Sequence, residues 1–193
     1  MKVADYGESL GRTLGEVSPS PPEGTALHRV AGEALGMAEA YLADGRTFLA
    51  SGDLMNGLAA FTYAAGWLDA SIALGLFTTT GETLGIPAFP EEAGSLGGER
   101  LREKRGRYRK MLSGALEALE CSPDPGSPLY PAAASILERA GALLSEGDLH
   151  ARGGRDGDAL ACYSHGHGWL DAGVRAGLFR ILHSRDLFTV GPL

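Results

Sequence analysis

The twelve residues GWLDASIALGLF (66–77) return, with few changes, as GWLDAGVRAGLF (168–179). The tryptophans of the two copies, Trp67 and Trp169, set the offset between them at 102 residues. A helix-sized segment that occurs twice at a fixed offset is typical of a duplicated structural unit. The rest of the chain is therefore expected to follow the same repeat.

The same offset holds along the chain without a gap. It places aromatic, aliphatic, glycine and proline positions of the first half on like residues of the second half: Tyr6 on Tyr108, Leu10 on Leu112, Pro21 on Pro123, Gly45 on Gly147, Gly52 on Gly154 and Phe61 on Tyr163. Chance does not keep one register over so long a stretch. The sequence therefore predicts a tandem duplication.

The join between the copies lies in TTTGETLGIPAFPEEAGSLGG (78–98), which is rich in Thr, Gly and Pro and lacks helical periodicity. Such a composition is typical of a linker. The predicted domains are a first helical repeat unit at 1–85, a linker at 86–98 and a second helical repeat unit at 99–193.

Three antiparallel helices are predicted in each unit. The first carries an apolar stripe at spacings of three and four and stops at a proline-rich segment. The second carries one long apolar face, which consists of Leu27, Ala31, Ala34, Ala38, Tyr41, Leu42, Phe48 and Leu49. It ends at SGD (51–53), where Gly52 suits a helix end and Asp53 suits the start of the third helix. The fold class is all-α, with two tandem up-and-down three-helix bundle units.

The third helix is apolar on two opposite sides. Leu54, Leu58, Phe61, Leu68 and Ile72 form one stripe, and Tyr63, Trp67, Ala70 and Leu74 form the other. A three-helix unit covers only one side, so we expect the third helices of the two copies to pack on each other about a pseudo-two-fold axis. The residues predicted at this interface are Tyr63, Trp67, Leu74, His165 and Trp169.

The string ACYSHGHGWLDAGVRAGLF (161–179), followed by DLFTV, resembles the archaeal family called domain of unknown function 357. Members of that family carry a similar YAHGxLDAGVRLGLF helix after an EKGD turn, and they are generally single-copy helical bundles. In the first copy, SGD and YAAGWLDASIALGLF (63–77) carry the resemblance. This chain departs from the family in being doubled and in having ARGGRD at its second turn. The resemblance implies a helical bundle and carries no established activity.

Candidate ligand-binding residues are Asp69 and Asp171, the shared acidic residues of the third helices, together with His167. A carboxylate at the edge of a core needs a partner, and the structural interpretation is a hydrogen bond to a tyrosine, an arginine or a helix terminus. His165 and His167 are two residues apart on a helix and point apart, so they cannot share an ion. His167 and Asp171 are four apart and could share one, but no third ligand is identifiable, so we predict no metal and no cofactor.

A basic run, ERLREKRGRYRK (99–110), is the strongest local charge feature. Its arginines are the candidates for nucleic-acid contacts: Arg100, Arg102, Arg105, Arg107 and Arg109. A solvated amphipathic helix also explains the run, and the first copy has only Lys2 among basic residues at the matching positions. The net charge of −7 argues against nucleic acid and against an anionic membrane.

The function we expect is non-enzymatic. The chain has no GxSxG, P-loop, HExxH or dinucleotide-binding signature, and its two cysteines have no metal-binding spacing. The predicted role is a cytoplasmic protein-interaction or scaffold module with an unknown protein partner, as a monomer whose units form an internal pseudo-dimer. The alternatives are nucleic-acid binding through 100–110 and a small-molecule or metal site at the junction near Asp69 and Asp171.

Overall fold

The computed structural model describes residues 1–79, 84–89 and 98–189. Residues 80–83, 90–97 and 190–193, which include most of the predicted linker, lie outside the described residues. The elements are α1 (Val3–Glu16), β1 (Ser18–Pro19), α2 (Ala26–Ala50), α3 (Leu54–Ala73), β2 (Phe77–Thr78), α4 (Glu99–Glu117), β3 (Leu119–Cys121), α5 (Tyr130–Arg152), α6 (Asp156–Arg175) and β4 (Phe179–Ile181), followed by a 3-10 turn at Arg185–Leu187. The first five belong to the first copy, and the others belong to the second.

The turns between the second and third helices have the same shape in both copies. Gly52 takes φ 80° and Gly154 takes φ 72°, a left-handed conformation that favours glycine. The Asp53 carboxylate caps α3 by accepting from Asn56 N at 3.0 Å. At the start of α6 Arg155 takes the place of Asp53, so ARGGRD forms the same turn without a side-chain cap.

Two short β-ribbons were not predicted by the all-α sequence pattern. β1 pairs antiparallel with β2, with Ser18 opposite Thr78, and β3 pairs antiparallel with β4, with Glu120 opposite Arg180. These pairs match at the 102-residue offset, so each ribbon ties the end of a first helix to the segment after a third helix. Strands of two or three residues are too short to give an alternating pattern in the sequence.

The centre of the protein is the crossing of α3 and α6. α3 packs on α2 and α6, and α6 packs on α4 and α5, so the two units are joined through their third helices about a pseudo-two-fold axis. The backbones touch at Gly66 and Gly168: a Cβ on Gly66 would lie 2.2 Å from the carbonyl oxygen of His165. Only glycine permits so close a contact between two helix backbones.

The second helix departs from its prediction at its first turn. Leu27, predicted on the core face, is exposed, and so is Leu129 at the matching position of the second copy. α2 has 25 residues, whereas α1 has 14 and α3 has 20. The first turn of the second helix therefore lies outside the core in both copies.

The predicted linker segment is partly packed onto the first copy. Tyr6 donates a hydrogen bond to the carbonyl oxygen of Gly85 at 2.8 Å, and Phe89 is buried at 2 % exposure. The composition of 78–98 predicts a linker, and the one large aromatic side chain in it, Phe89, is part of the core. No helix within the three described ranges has the length and apolarity needed to cross a membrane.

Candidate functional site

The two helix aspartates are buried at the boundary between the copies. Asp171 is 2 % exposed and accepts three hydrogen bonds. Tyr63 donates one through its hydroxyl, and Thr189 donates the other two, through its backbone N at 3.1 Å and its Oγ1 at 3.0 Å. These donors hold the carboxylate in place, which is the arrangement that the structural interpretation of Asp171 predicts.

Asp69 lies in a similar position with fewer donors. Gly85 N donates to its Oδ2 at 3.3 Å, and His165 Nε2 lies 3.3 Å from the same oxygen. The indole N–H of Trp169 also points at His165 Nε2, at 3.1 Å. The imidazole nitrogen accepts from Trp169 when it carries no proton and donates to Asp69 when it carries one.

The two aspartate contacts are related by the pseudo-two-fold axis. Tyr63 and His165 occupy matching positions, as do Asp69 and Asp171. Asp171 is contacted by Tyr63, which lies six positions before Asp69 on α3. Asp69 is contacted by His165, which lies six positions before Asp171 on α6. The copies share the geometry and differ in the donor, which is a phenol on one side and an imidazole on the other.

The phenols near the aspartates stay protonated over the ordinary pH range. Burial, and then the nearby Asp171 carboxylate, raises the pKa of Tyr63 well above its usual value. The same two causes raise the pKa of Tyr41, whose ring lies 4.4 Å from that of Tyr63. Burial and then Asp69 raise the pKa of Tyr6. The Tyr63 hydroxyl donates to the Asp171 carboxylate, and the Tyr6 hydroxyl donates to the carbonyl oxygen of Gly85.

The two histidines of α6 point to different surroundings. His165 faces Asp69, whereas His167 Nε2 lies 2.7 Å from the carbonyl oxygen of Leu187 and 3.8 Å from Asp171 Oδ2. A carbonyl only accepts, so the proton of His167 sits on Nε2, and that nitrogen is not free to bind an ion. Within 1–79, 84–89 and 98–189, no group of three or more His, Cys, Asp or Glu side chains is placed to hold a metal.

The remaining residues predicted at the interface lie on the same two helices. Trp67 is 1 % exposed and Trp169 is 9 % exposed, while Leu74 is half-buried at the end of α3. Trp67 Nε1 is buried and has no hydrogen-bond partner among the described residues. The Trp67 ring therefore contributes packing, whereas Trp169 also contributes a hydrogen bond.

The basic run lies on α4, and part of its charge is neutralised within the chain. Arg109 forms a two-pronged ion pair with Asp148, with both nitrogen–oxygen distances at 2.7 Å, and Arg105 contacts Asp156. The other three candidate arginines, Arg100, Arg102 and Arg107, are exposed. Lys104 belongs to the same run but is buried, and its ammonium donates to Asn56 of α3.

A cavity of about 530 Å³ lies at the boundary between the copies, and we call it the junction groove. Its walls come from α2 and α3 of the first copy and from α4, α6 and the segment 186–189 of the second copy. Among the described residues, five phenylalanine and tyrosine side chains line it: Tyr41, Phe48, Tyr63, Tyr108 and Phe188. The volume lies within the range of small-ligand and side-chain pockets, about 300–1,000 Å³.

Of the residues predicted as ligand-binding, the junction groove contains His167 alone. Asp171 lies behind Tyr63 and Thr189, which line the groove, whereas Asp69 is engaged by Gly85 and His165, which do not. Four of the aromatic lining residues were not predicted from the sequence as site residues: Tyr41, Phe48, Tyr108 and Phe188. Tyr41 and Tyr108 do fall on predicted apolar stripes, but periodicity alone does not separate a residue that lines a groove from one that fills a core.

Comparison with known proteins agrees with the repeat. The family described as Protein of unknown function (DUF357) matches the chain twice, at residues 5–77 and 107–179. No curated protein and no solved structure matches the chain. The two matches cover more than half of the sequence and have the 102-residue offset of the two tryptophans. The chain therefore belongs to the DUF357 family, of unknown function, and carries two tandem copies of its domain.

Proposed function

We propose that this protein is a non-enzymatic, cytoplasmic interaction module that binds a protein partner in the junction groove. The single observation that carries the proposal is the groove itself: about 530 Å³, lined by both copies and rich in aromatic side chains. Aromatic side chains are enriched at the centres of protein interfaces because they bury a large area at low entropic cost.

The engagement of the two aspartates supports a role without catalysis. An acid or base catalyst must reach its substrate, but Asp171 is covered by Tyr63 and Thr189, and Asp69 is covered by Gly85 and His165. The alternative of a small-molecule or metal site at these aspartates is weaker for the same reason.

Nucleic-acid binding through 100–110 is also a weaker proposal. Arg105 and Arg109 are ion-paired with carboxylates of the same chain, and the rest of the protein is acidic. A phosphate would have to displace those carboxylates, which reduces the electrostatic gain on which such binding depends.

The test is photocross-linking with the full chain. A benzophenone amino acid is placed at Met111, an exposed residue on the groove wall, and in a matched control at Ser9, its counterpart in the first copy. Each protein is irradiated in lysate of its source organism, with and without nuclease. We expect a discrete protein adduct at Met111 that survives nuclease and is missing at Ser9. Equal labelling at both positions, or adducts only to nucleic acid, would overturn the proposal.

A further inference from the structure

The junction groove has a counterpart related by the pseudo-two-fold axis, and the chain itself fills that counterpart. Tyr108 and Asn56 of the groove correspond to Tyr6 and Asp158 at the 102-residue offset. Phe89 lies against both of these counterparts: its ring packs edge-on to Tyr6 at 5.7 Å between centroids, and its backbone N donates to Asp158 at 3.0 Å. The site on the first side is therefore occupied by a non-helical peptide segment with an aromatic side chain.

The peptide that fills the counterpart site is held along its length. Tyr6 donates to the carbonyl oxygen of Gly85, Asp69 accepts from Gly85 N, and the amino group of Met1 donates to the carbonyl oxygen of Ala88 at 2.9 Å. Residues 84–89 thus show how this fold holds a non-helical segment: backbone groups bond to side chains of the helices, and the Phe89 ring is buried.

At the 102-residue offset the wall segment 186–189 matches residues 84–87, and Thr189 N bonds to Asp171 as Gly85 N bonds to Asp69, so the two sides differ at the position of the aromatic ring. The residue that corresponds to Phe89 is Gly191, which lies outside the described residues and has no side chain. The walls of the junction groove are also more aromatic, because Tyr41 and Phe48 stand where the second copy has Leu143 and His150. An aromatic ring in this groove would meet several others at the edge-on or offset distances that such pairs favour.

The negative charge of the groove favours aromatic peptides that also carry basic residues. Asp44 and Asp186 line it and are exposed, and the whole chain carries −7. The oxygen of Asn56, the counterpart of the Asp158 acceptor, is already engaged by Lys104. A bound peptide is therefore recognised by its ring and by its charge rather than by a copy of the Phe89 backbone bond.

We infer that the junction groove binds a peptide segment of a partner protein that buries one aromatic side chain and carries basic residues beside it. The inference rests on the proposed function, and it defines the chemistry of the partner. The occupied counterpart supplies the binding mode, and the two rim carboxylates supply the charge preference.

The experiment uses a labelled peptide and the full chain. The probe is Leu-Gly-Ile-Pro-Ala-Phe, the sequence of residues 84–89, followed by two lysines, and binding is followed by fluorescence anisotropy. We expect saturable binding that weakens at least about tenfold when the phenylalanine of the peptide is replaced by alanine. A similar loss, about tenfold, is expected when its lysines are replaced by glutamates. Equal affinity of the phenylalanine and alanine peptides would overturn the inference.

Two matched variants of the protein locate the site. Asp44→Lys reverses a charge on the groove, and Glu146→Lys makes the same change at the corresponding exposed position of the second copy. We expect Asp44→Lys to weaken peptide binding about fivefold or more and Glu146→Lys to change it less than about twofold. Both lie on the surface, so both are expected to fold, and thermal unfolding followed by circular dichroism checks this. Equal effects of the two variants would overturn the inference.

A competing occupant is the chain's own segment after Thr189. The double variant Val190→Asp with Leu193→Asp tests it in the full-length chain. Affinity for the probe that equals that of the parent supports a partner peptide, whereas binding seen only in the double variant assigns the groove to the chain's own segment and overturns the inference. Failure of the peptide to bind, together with a nuclease-resistant adduct at Met111, would overturn this inference and leave the proposed function standing.

Discussion

Gly66 and Gly168 face each other where α3 crosses α6, and neither has room for a side chain. A Cβ on Gly66 would lie 2.2 Å from the carbonyl oxygen of His165, and a Cβ on Gly168 would lie 2.4 Å from that of Tyr63. The neighbours in both cases are backbone atoms of a packed helix, which cannot move aside as the end of a side chain can. The distance between the two units is therefore set by these two residues.

Gly66→Ala or Gly168→Ala is expected to lower the free energy of unfolding by about 3 kcal/mol, because the helices must separate to admit the methyl group. The measurement is chemical denaturation. Gly36→Ala is the control: Gly36 is exposed in the middle of α2 with open space around its Cβ, and the change is expected to stabilise the helix by up to about 1 kcal/mol. A neutral Gly66→Ala variant would contradict the close crossing.

Trp67→Ala is expected to lower the free energy of unfolding by about 3–5 kcal/mol, because the ring is fully buried and its removal leaves a cavity. Leu27→Ala, at an exposed position, is expected to change stability by less than about 0.5 kcal/mol. A loss under about 1 kcal/mol for Trp67→Ala would contradict the packing described for α3.

Residues 99–193 alone are expected to dimerise or aggregate. In the full chain α6 is buried on the side that faces α3, and the isolated second unit exposes that side to water. Size-exclusion chromatography with light scattering measures the mass. A well-folded monomer that persists at high concentration would show that the unit does not need its neighbour.

The ion pair between Arg109 and Asp148 is expected to make stability depend on pH in the acid range. The Arg109 guanidinium, by hydrogen bonding, is the main cause that lowers the pKa of Asp148 in the folded protein. A lowered carboxyl pKa stabilises the fold above the unfolded pKa of about 4, and this contribution is lost as the pH falls through the folded value.

Arg109→Ala is therefore expected to be less stable than the parent at pH 7, by up to about 1 kcal/mol for so exposed a pair, with the difference shrinking as the solution is acidified. Urea unfolding of both proteins between neutral and acid pH measures it. Arg107→Ala, an exposed change on the same helix, is expected to follow the parent at every pH. A difference for Arg109→Ala that stays constant with pH would count against the role of the pair.

The repeated sequence predicts much of the architecture because helical periodicity and a fixed offset are both local signals. Three apolar stripes per copy predict a three-helix unit. The second apolar side of α3, which holds Trp67, requires a second unit as its partner. The short ribbons were beyond such reasoning, since pairing of Ser18 with Thr78 depends on where two distant chain segments meet.

The contacts of the site were harder to predict. Asp171 accepts a hydrogen bond from Tyr63, which lies 108 positions earlier in the sequence. The two residues come together because α3 and α6 pack on each other. The junction groove is harder still to predict, because it depends on how the segment after each third helix packs: Phe89 lies against Tyr6 on one side of the axis, whereas the groove lies beside Tyr108 on the other. Composition alone marked that segment as a linker and gave no sign that Phe89 would be buried.

The tyrosine at position 63 and the histidine at position 165 show what a fused pair gains over a symmetric dimer. In a dimer of identical chains, any substitution at the axis is made on both sides at once, so a favourable change on one side is tied to its consequence on the other. Covalent duplication removes that tie. The two halves of this molecule can therefore differ at equivalent positions: a phenol contacts Asp171 on one side of the axis, and an imidazole contacts Asp69 on the other.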